Sequence, residues 1–89
     1  MATFRDVREA AVRLVLQPLS FSREDFIRVV EEYVNSLPEW KRKSLVGYVR
    51  KEEGRERSVV VTHEELPRKL REDPEFFDAY VRALAGMPL

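Results

Sequence analysis

The sequence predicts a mainly α-helical fold: a compact bundle of four to five short helices, with one short extended segment near residues 58–62. Apolar residues recur at helical spacing over several segments, and capping motifs precede those segments. β-branched residues gather in only one short run, which limits the strand content. A chain of 89 residues buries one modest core, so we expect a single domain over residues 1–89.

The first two helices are expected over residues 4–16 and 23–35. Each is preceded by a hydroxyl residue with an aspartate three positions later, which is the spacing of a capping box. The two boxes are Thr3 with Asp6 and Ser22 with Asp25. The second helix has the wider apolar face, so we expect it to lie at the centre of the core.

A third helix is expected over residues 38–53. Ser36 and Glu39 have capping-box spacing, Pro38 suits a first turn, and Gly54 is a typical C-terminal stop. Few residues separate this helix from the second one, which predicts a corner like that of a helix-turn-helix motif.

The run of Val59, Val60 and Val61 is the clearest β signal in the sequence. It predicts a short strand over residues 58–62, preceded by a charged turn that contains Arg55 and Arg57. A lone strand needs a partner. The candidates are the irregular connection at residues 18–21 and the same segment of a second copy of the chain.

The C-terminal third is expected to contain a turn of helix near His63, which Pro67 either kinks or restarts. Asp73 followed by proline is a strong helix start, so a last helix is expected over residues 74–85. Residues 86–89 are expected to form a loose tail.

The residue types argue against an enzyme, a metal site or a bound cofactor. His63 is the only histidine, and the chain has no cysteine, which excludes a two-histidine zinc site and cysteine ligation. Glycine-rich phosphate-binding motifs are also absent from the sequence. We expect His63 to be an exposed residue in the first turn of a helix.

The sequence also predicts a cytoplasmic protein without membrane contact. No window approaches the roughly 20 apolar residues of a membrane span, and the N-terminus lacks the pattern of a signal peptide. Arginine and glutamate are abundant, whereas asparagine and glutamine occur once each, a composition typical of thermophile proteins.

The outer face of the expected third helix is the best candidate binding site. Acidic and basic residues are balanced at sixteen each, so a polyanion site must be a local patch. In a helix-turn-helix arrangement the third helix would contact DNA, or RNA, and the charged turn would contact phosphate. The candidate residues are Trp40, Lys41, Lys43, Ser44, Gly47, Arg50, Lys51, Arg55 and Arg57.

The same residues allow two other interpretations. Tryptophan and arginine dominate protein interfaces, so the face could bind a protein partner, or the chain could form a homodimer through Val59, Val60 and Val61 or through the Trp40 face. The cations could also serve only to keep the helix soluble. The leading hypothesis is a non-enzymatic module that binds DNA, and the alternative is an interaction or assembly domain.

Overall fold

The computed structural model describes the backbone of residues 1–52 and 54–86, and their side chains except at residues 48–52 and 56–59. This part contains five helices and a two-stranded antiparallel sheet, which confirms the mainly helical fold. The elements in chain order are α1 (Phe4–Leu16), α2 (Arg23–Ser36), α3 (Glu39–Arg42), β1 (Leu45–Glu52), β2 (Arg55–Thr62), α4 (Leu66–Glu72) and α5 (Pro74–Ala85). No helix of the described part combines the length and apolar character needed to cross a membrane.

Both predicted capping boxes at the start of α1 and α2 are confirmed. In α2 the Ser22 hydroxyl accepts a hydrogen bond from the Asp25 amide at 3.1 Å, and the Asp25 carboxylate accepts one from the Ser22 amide at 2.9 Å. These bonds to Ser22 lower the pKa of Asp25 because they stabilise the charged carboxylate. The helix therefore begins where the sequence indicates.

The core is built where α1 and α4 each pack against both α2 and α5. Phe26 of α2 is fully buried, and its ring packs edge-on against Phe77 and Tyr80 of α5, with centroid separations of 5.6 and 6.3 Å. Burial also raises the pKa of the Tyr80 hydroxyl. α2 and α5 contribute five buried residues each. The core is therefore shared between these two helices, whereas the sequence predicted α2 alone at its centre.

The predicted helix over residues 38–53 is wrong. Helix α3 begins near the predicted position but contains only Glu39–Arg42, one turn, and β1 follows from Leu45. Ser36 does not cap α3, because it is the last residue of α2 and its hydroxyl donates to Tyr33 O at 2.7 Å. The tight corner between the second and third helices is present, but no long recognition helix follows it.

The predicted strand at residues 58–62 is confirmed, and β2 extends further back to Arg55. Its partner within the chain is β1, not the connection at residues 18–21. Gly54 is part of the hairpin turn rather than a helix stop: it has a φ of 77°, a conformation that glycine adopts without steric cost. We call the hairpin of β1 and β2, residues 45–62, the arm.

The chain after the arm follows the sequence closely. Residues 63–65 form a turn rather than the expected turn of helix. Helix α4 begins at Leu66, one residue before the predicted restart, and Pro67 lies in its first turn. The Asp73 carboxylate caps α5 by accepting hydrogen bonds from two backbone amides, both at 3.1 Å. Gly86 ends α5, and the rest of the predicted tail, residues 87–89, lies outside the described residues.

His63 joins the base of the arm to the helical body. Contrary to the expectation of an exposed residue, it is only 9% exposed. Its ring Nδ1 lies 2.9 Å from Ser44 O and 3.1 Å from Ser44 Oγ. A carbonyl oxygen can only accept, so Nδ1 carries the proton. The Ser44 hydroxyl in turn donates to Lys41 O at 2.5 Å, which connects the arm to α3.

Replacing His63 with leucine should lower the free energy of unfolding by about 1 kcal/mol, because the variant keeps an apolar side chain but loses the bond to Ser44. Urea denaturation measures this change. The adjacent exposed Glu64 provides the control, and Glu64→Leu should change stability by less than about 0.5 kcal/mol. A His63→Leu variant as stable as the wild type would show that the bond does not hold the arm.

Candidate nucleic-acid interface

The arm places two arginines directly opposite each other. In its register Arg50 pairs with Arg57, whereas the neighbouring charged pairs, Lys51 with Glu56 and Glu52 with Arg55, combine opposite signs. Like charges at directly opposed positions destabilise an antiparallel pair, and opposite charges stabilise it. The Arg50–Arg57 pair is the one charged pair of this register in which the two residue types have the same sign.

Alternation along the strands adds a third arginine to the same face of the arm. Successive residues of a strand belong to opposite faces, so the pairs Arg50–Arg57 and Glu52–Arg55 share one face and Lys51–Glu56 belongs to the other. The first face has three arginines and one glutamate at its distal end, while the other face is balanced. Arginine positions therefore outnumber glutamate positions three to one on this face of the ribbon.

The contacts of the arm with the helical body are near its base. Among the arm residues whose side chains are described, Val46 and Val61 pack against the core, and they pair with each other. Arg50 lies four residues beyond Val46, which is about 13 Å further along the strand. The arginine pair is therefore separated from the packed base of the arm.

Helix α3 adds an exposed aromatic residue beside this base. The Trp40 side chain is 73% exposed, and the Lys41 ammonium lies 5.8 Å from the centroid of its ring. Lys43 forms an exposed ion pair with Glu39 at 3.2 Å, and such pairs contribute little to stability. Both lysines can therefore exchange these contacts for a phosphate.

The structure divides the predicted site residues into two groups. The α3 turn holds Trp40 and Lys41, with Lys43 as its C-cap, and the arm holds the five residues Gly47, Arg50, Lys51, Arg55 and Arg57. The single helical face predicted for Trp40, Lys43, Gly47, Arg50 and Lys51 is therefore wrong. Ser44 lies between the groups, and its hydroxyl is engaged with Lys41 O and His63.

A groove of 520 Å³ also lies between α2, α3 and α4. Its lining includes Glu31, Arg42, Lys43, Glu64, Arg68 and Arg71. Arg71 donates hydrogen bonds to Glu24, at 2.7 Å, and to Glu31. These bonds raise the pKa of Arg71 and lower that of Glu24. Because Arg71 is held between two carboxylates, the groove is less suited to an anion than the arm is.

The arm also exposes two apolar residues, one in the segment that was predicted to be helical and one in the predicted strand. Leu45 is 69% exposed and Val60 is 50% exposed. The register pairs Leu45 with Thr62 and Gly47 with Val60, so Leu45 and Val60 are diagonal neighbours on one face. In a strand, successive residues alternate between faces, so Val46 lies against the core and Leu45 does not. This two-residue alternation is the sequence signal that could have revealed the exposure of Leu45.

No family model, curated protein or solved structure matches this chain. We therefore infer function from the residues and geometry of the arm and the α3 turn. Three features are relevant: the opposed arginines, the exposed Trp40, and the exposed Leu45 with Val60.

Proposed function

We propose that this chain is a non-enzymatic module that binds nucleic acid, in the first instance DNA, through the arm and the α3 turn. The observation that carries the proposal is the direct opposition of Arg50 and Arg57. Like charges at directly opposed positions cost hairpin stability, and a phosphate or a base edge bound by both arginines would offset that cost.

The shape of the arm supports this proposal. A two-stranded β-ribbon fits the major groove of B-DNA, which is about 12 Å wide, and several DNA-binding proteins insert strands into a groove. Arginine donates two parallel hydrogen bonds to phosphate or to guanine. Arg50, Arg57 and Arg55 would supply these bonds from one face, while Lys41 and Lys43 would contact phosphates near the base of the arm.

The proposal is tested by fluorescence anisotropy with a labelled 20-base-pair duplex over a range of salt concentrations. Two to four phosphate contacts from the arm would give a slope of log K against log salt of about −2 to −4. We expect micromolar affinity at low salt that falls steeply as salt rises. Absence of binding to duplex DNA and to RNA at micromolar concentrations and low salt would refute the proposal.

The exposed Leu45 and Val60 favour a second candidate, a protein-interaction or assembly domain. A two-stranded hairpin is marginal alone, and both strands of the described sheet have an outer edge without a partner strand. A homodimer through Val59, Val60 and Val61 would extend the sheet and cover part of its exposed apolar face. The second candidate also includes a protein partner that binds the Trp40 face.

A substitution that introduces a charge on the exposed face of the arm distinguishes assembly from nucleic-acid binding. If the chain dimerises through the valine strand, Val60→Lys should make the chain monomeric, because the substitution would bury an unpaired charge in the interface. Sedimentation velocity measures this change. The matched control is Val15→Lys, since Val15 of α1 is similarly exposed. A wild-type chain that is monomeric at 100 µM, about a hundred times a micromolar Kd, would contradict assembly through this face.

A further inference from the structure

We propose that Trp40 stacks on an unpaired base, so that the preferred ligand is a single strand, or a duplex with a single-stranded end. This inference rests on the proposed function and specifies its substrate class. Aromatic side chains bind unpaired bases by stacking, because every base has a π face that becomes accessible only outside the duplex stack. Trp40 is the only tryptophan of the chain.

The exposure of Trp40 is the first observation behind this inference. Tryptophan has a large apolar surface and is strongly buried on average, yet the Trp40 side chain is 73% exposed. The backbone that carries it is well held: the Lys41 and Arg42 amides both donate to Pro38 O, at 2.9 and 3.0 Å. A ring presented from an ordered turn loses little conformational entropy on binding.

The charge around the ring is the second observation. The three residues after Trp40 are all basic, Lys41, Arg42 and Lys43, and the Lys41 ammonium lies 5.8 Å from the ring centroid. A base stacked on the indole therefore brings its phosphate within reach of cations. Lysine is depleted in the cores of protein interfaces, so this setting favours a nucleic-acid strand over an apolar protein surface.

The path of the chain connects the ring with the arginine pair. Only Lys43 and Ser44 separate α3 from β1, and the bonds of His63 to Ser44 hold this junction. Arg50 is six residues from Ser44, about 20 Å along an extended strand. A strand of nucleic acid that spans both sites would contact at least about four nucleotides, the lower end of site sizes for single-strand binding folds.

The test uses Trp40 fluorescence and three ligands of matched length: oligo-dT, oligo-U and a blunt duplex. We expect both single strands to quench the emission, and Trp40→Ala to weaken their binding by about 5-fold to 100-fold. The same substitution should change binding of the blunt duplex by less than about 2-fold. Trp40→Phe, which keeps a stacking ring, should recover part of the loss, and circular dichroism checks that both variants are folded.

Each other outcome overturns an identified part of the account. Equal binding of single strands and duplex, unaffected by Trp40→Ala, would refute base stacking while leaving the proposed function intact. No binding of any of the three ligands would refute the proposed function itself. A homodimer that Trp40→Ala dissociates would show that the ring is part of a protein interface, and would overturn the inference in favour of assembly.

Discussion

Replacing both Arg50 and Arg57 with glutamate should weaken nucleic-acid binding at least about 100-fold at low salt, because two phosphate or base contacts become repulsive. The slope of log K against log salt should also become shallower by about 2. Anisotropy titrations measure both quantities. The double variant keeps a pair of like charges across the strands, so the stability of the arm should change little.

The single variant Arg50→Glu separates binding from stability. It places a glutamate opposite Arg57, so the arm should gain about 0.2–1 kcal/mol while binding weakens. The control for the double variant of Arg50 and Arg57 is Arg5→Glu with Arg28→Glu, since both arginines are exposed on α1 and α2 and the charge change is the same. Equal loss of affinity in the control and in the arm variant would show that only net charge matters and would contradict a site on the arm.

Truncating Phe26 to alanine should have the largest effect on stability, lowering the free energy of unfolding by about 3–5 kcal/mol. The ring is fully buried and packs against Phe77 and Tyr80, so its removal leaves a cavity at the junction of α2 and α5. A small domain has a total stability of about 5–15 kcal/mol. The variant should therefore unfold at much lower urea concentration than the wild type.

The control for Phe26 is Phe4→Ala, because the Phe4 ring is at the surface of α1 and is 40% exposed. It contacts Tyr33 with a centroid separation of 6.0 Å, so a smaller loss of about 1–2 kcal/mol is expected. If Phe26→Ala and Phe4→Ala destabilise the chain equally, Phe26 does not have the place in the core described above.

The helices that the sequence predicts correctly are those whose local signals agree with each other. In α1, α2 and α5 a cap, a run of helical periodicity and a stop all indicate the same bounds. In residues 38–53 the local signals do not all agree. Pro38 and Glu39 favour a helix start, and α3 does begin at Glu39. The next apolar residues, Leu45 to Val49, fit a helical face and a strand almost equally well.

A contact with residues distant in sequence decides that β1 is a strand rather than a helix. Val46 pairs with Val61, fifteen positions later, and both pack on the core, so β1 gains a partner and burial that a helix there would lack. The valine run indicated that a partner was needed, but local periodicity could not identify it. The candidate cations were chosen as the outer face of an expected helix and the turn after it, whereas the opposition of Arg50 and Arg57 depends on the register of the strands.

The most direct test of the account is to map amide and indole chemical shifts by NMR while a short single strand and a short duplex are added. We expect the largest changes at the Trp40 indole with the single strand, and at Arg50, Arg55 and Arg57 with both ligands. Resonances of α1 and α5 should change little. Changes concentrated on α1 or α5, with the arm and α3 unaffected, would contradict the proposed nucleic-acid interface.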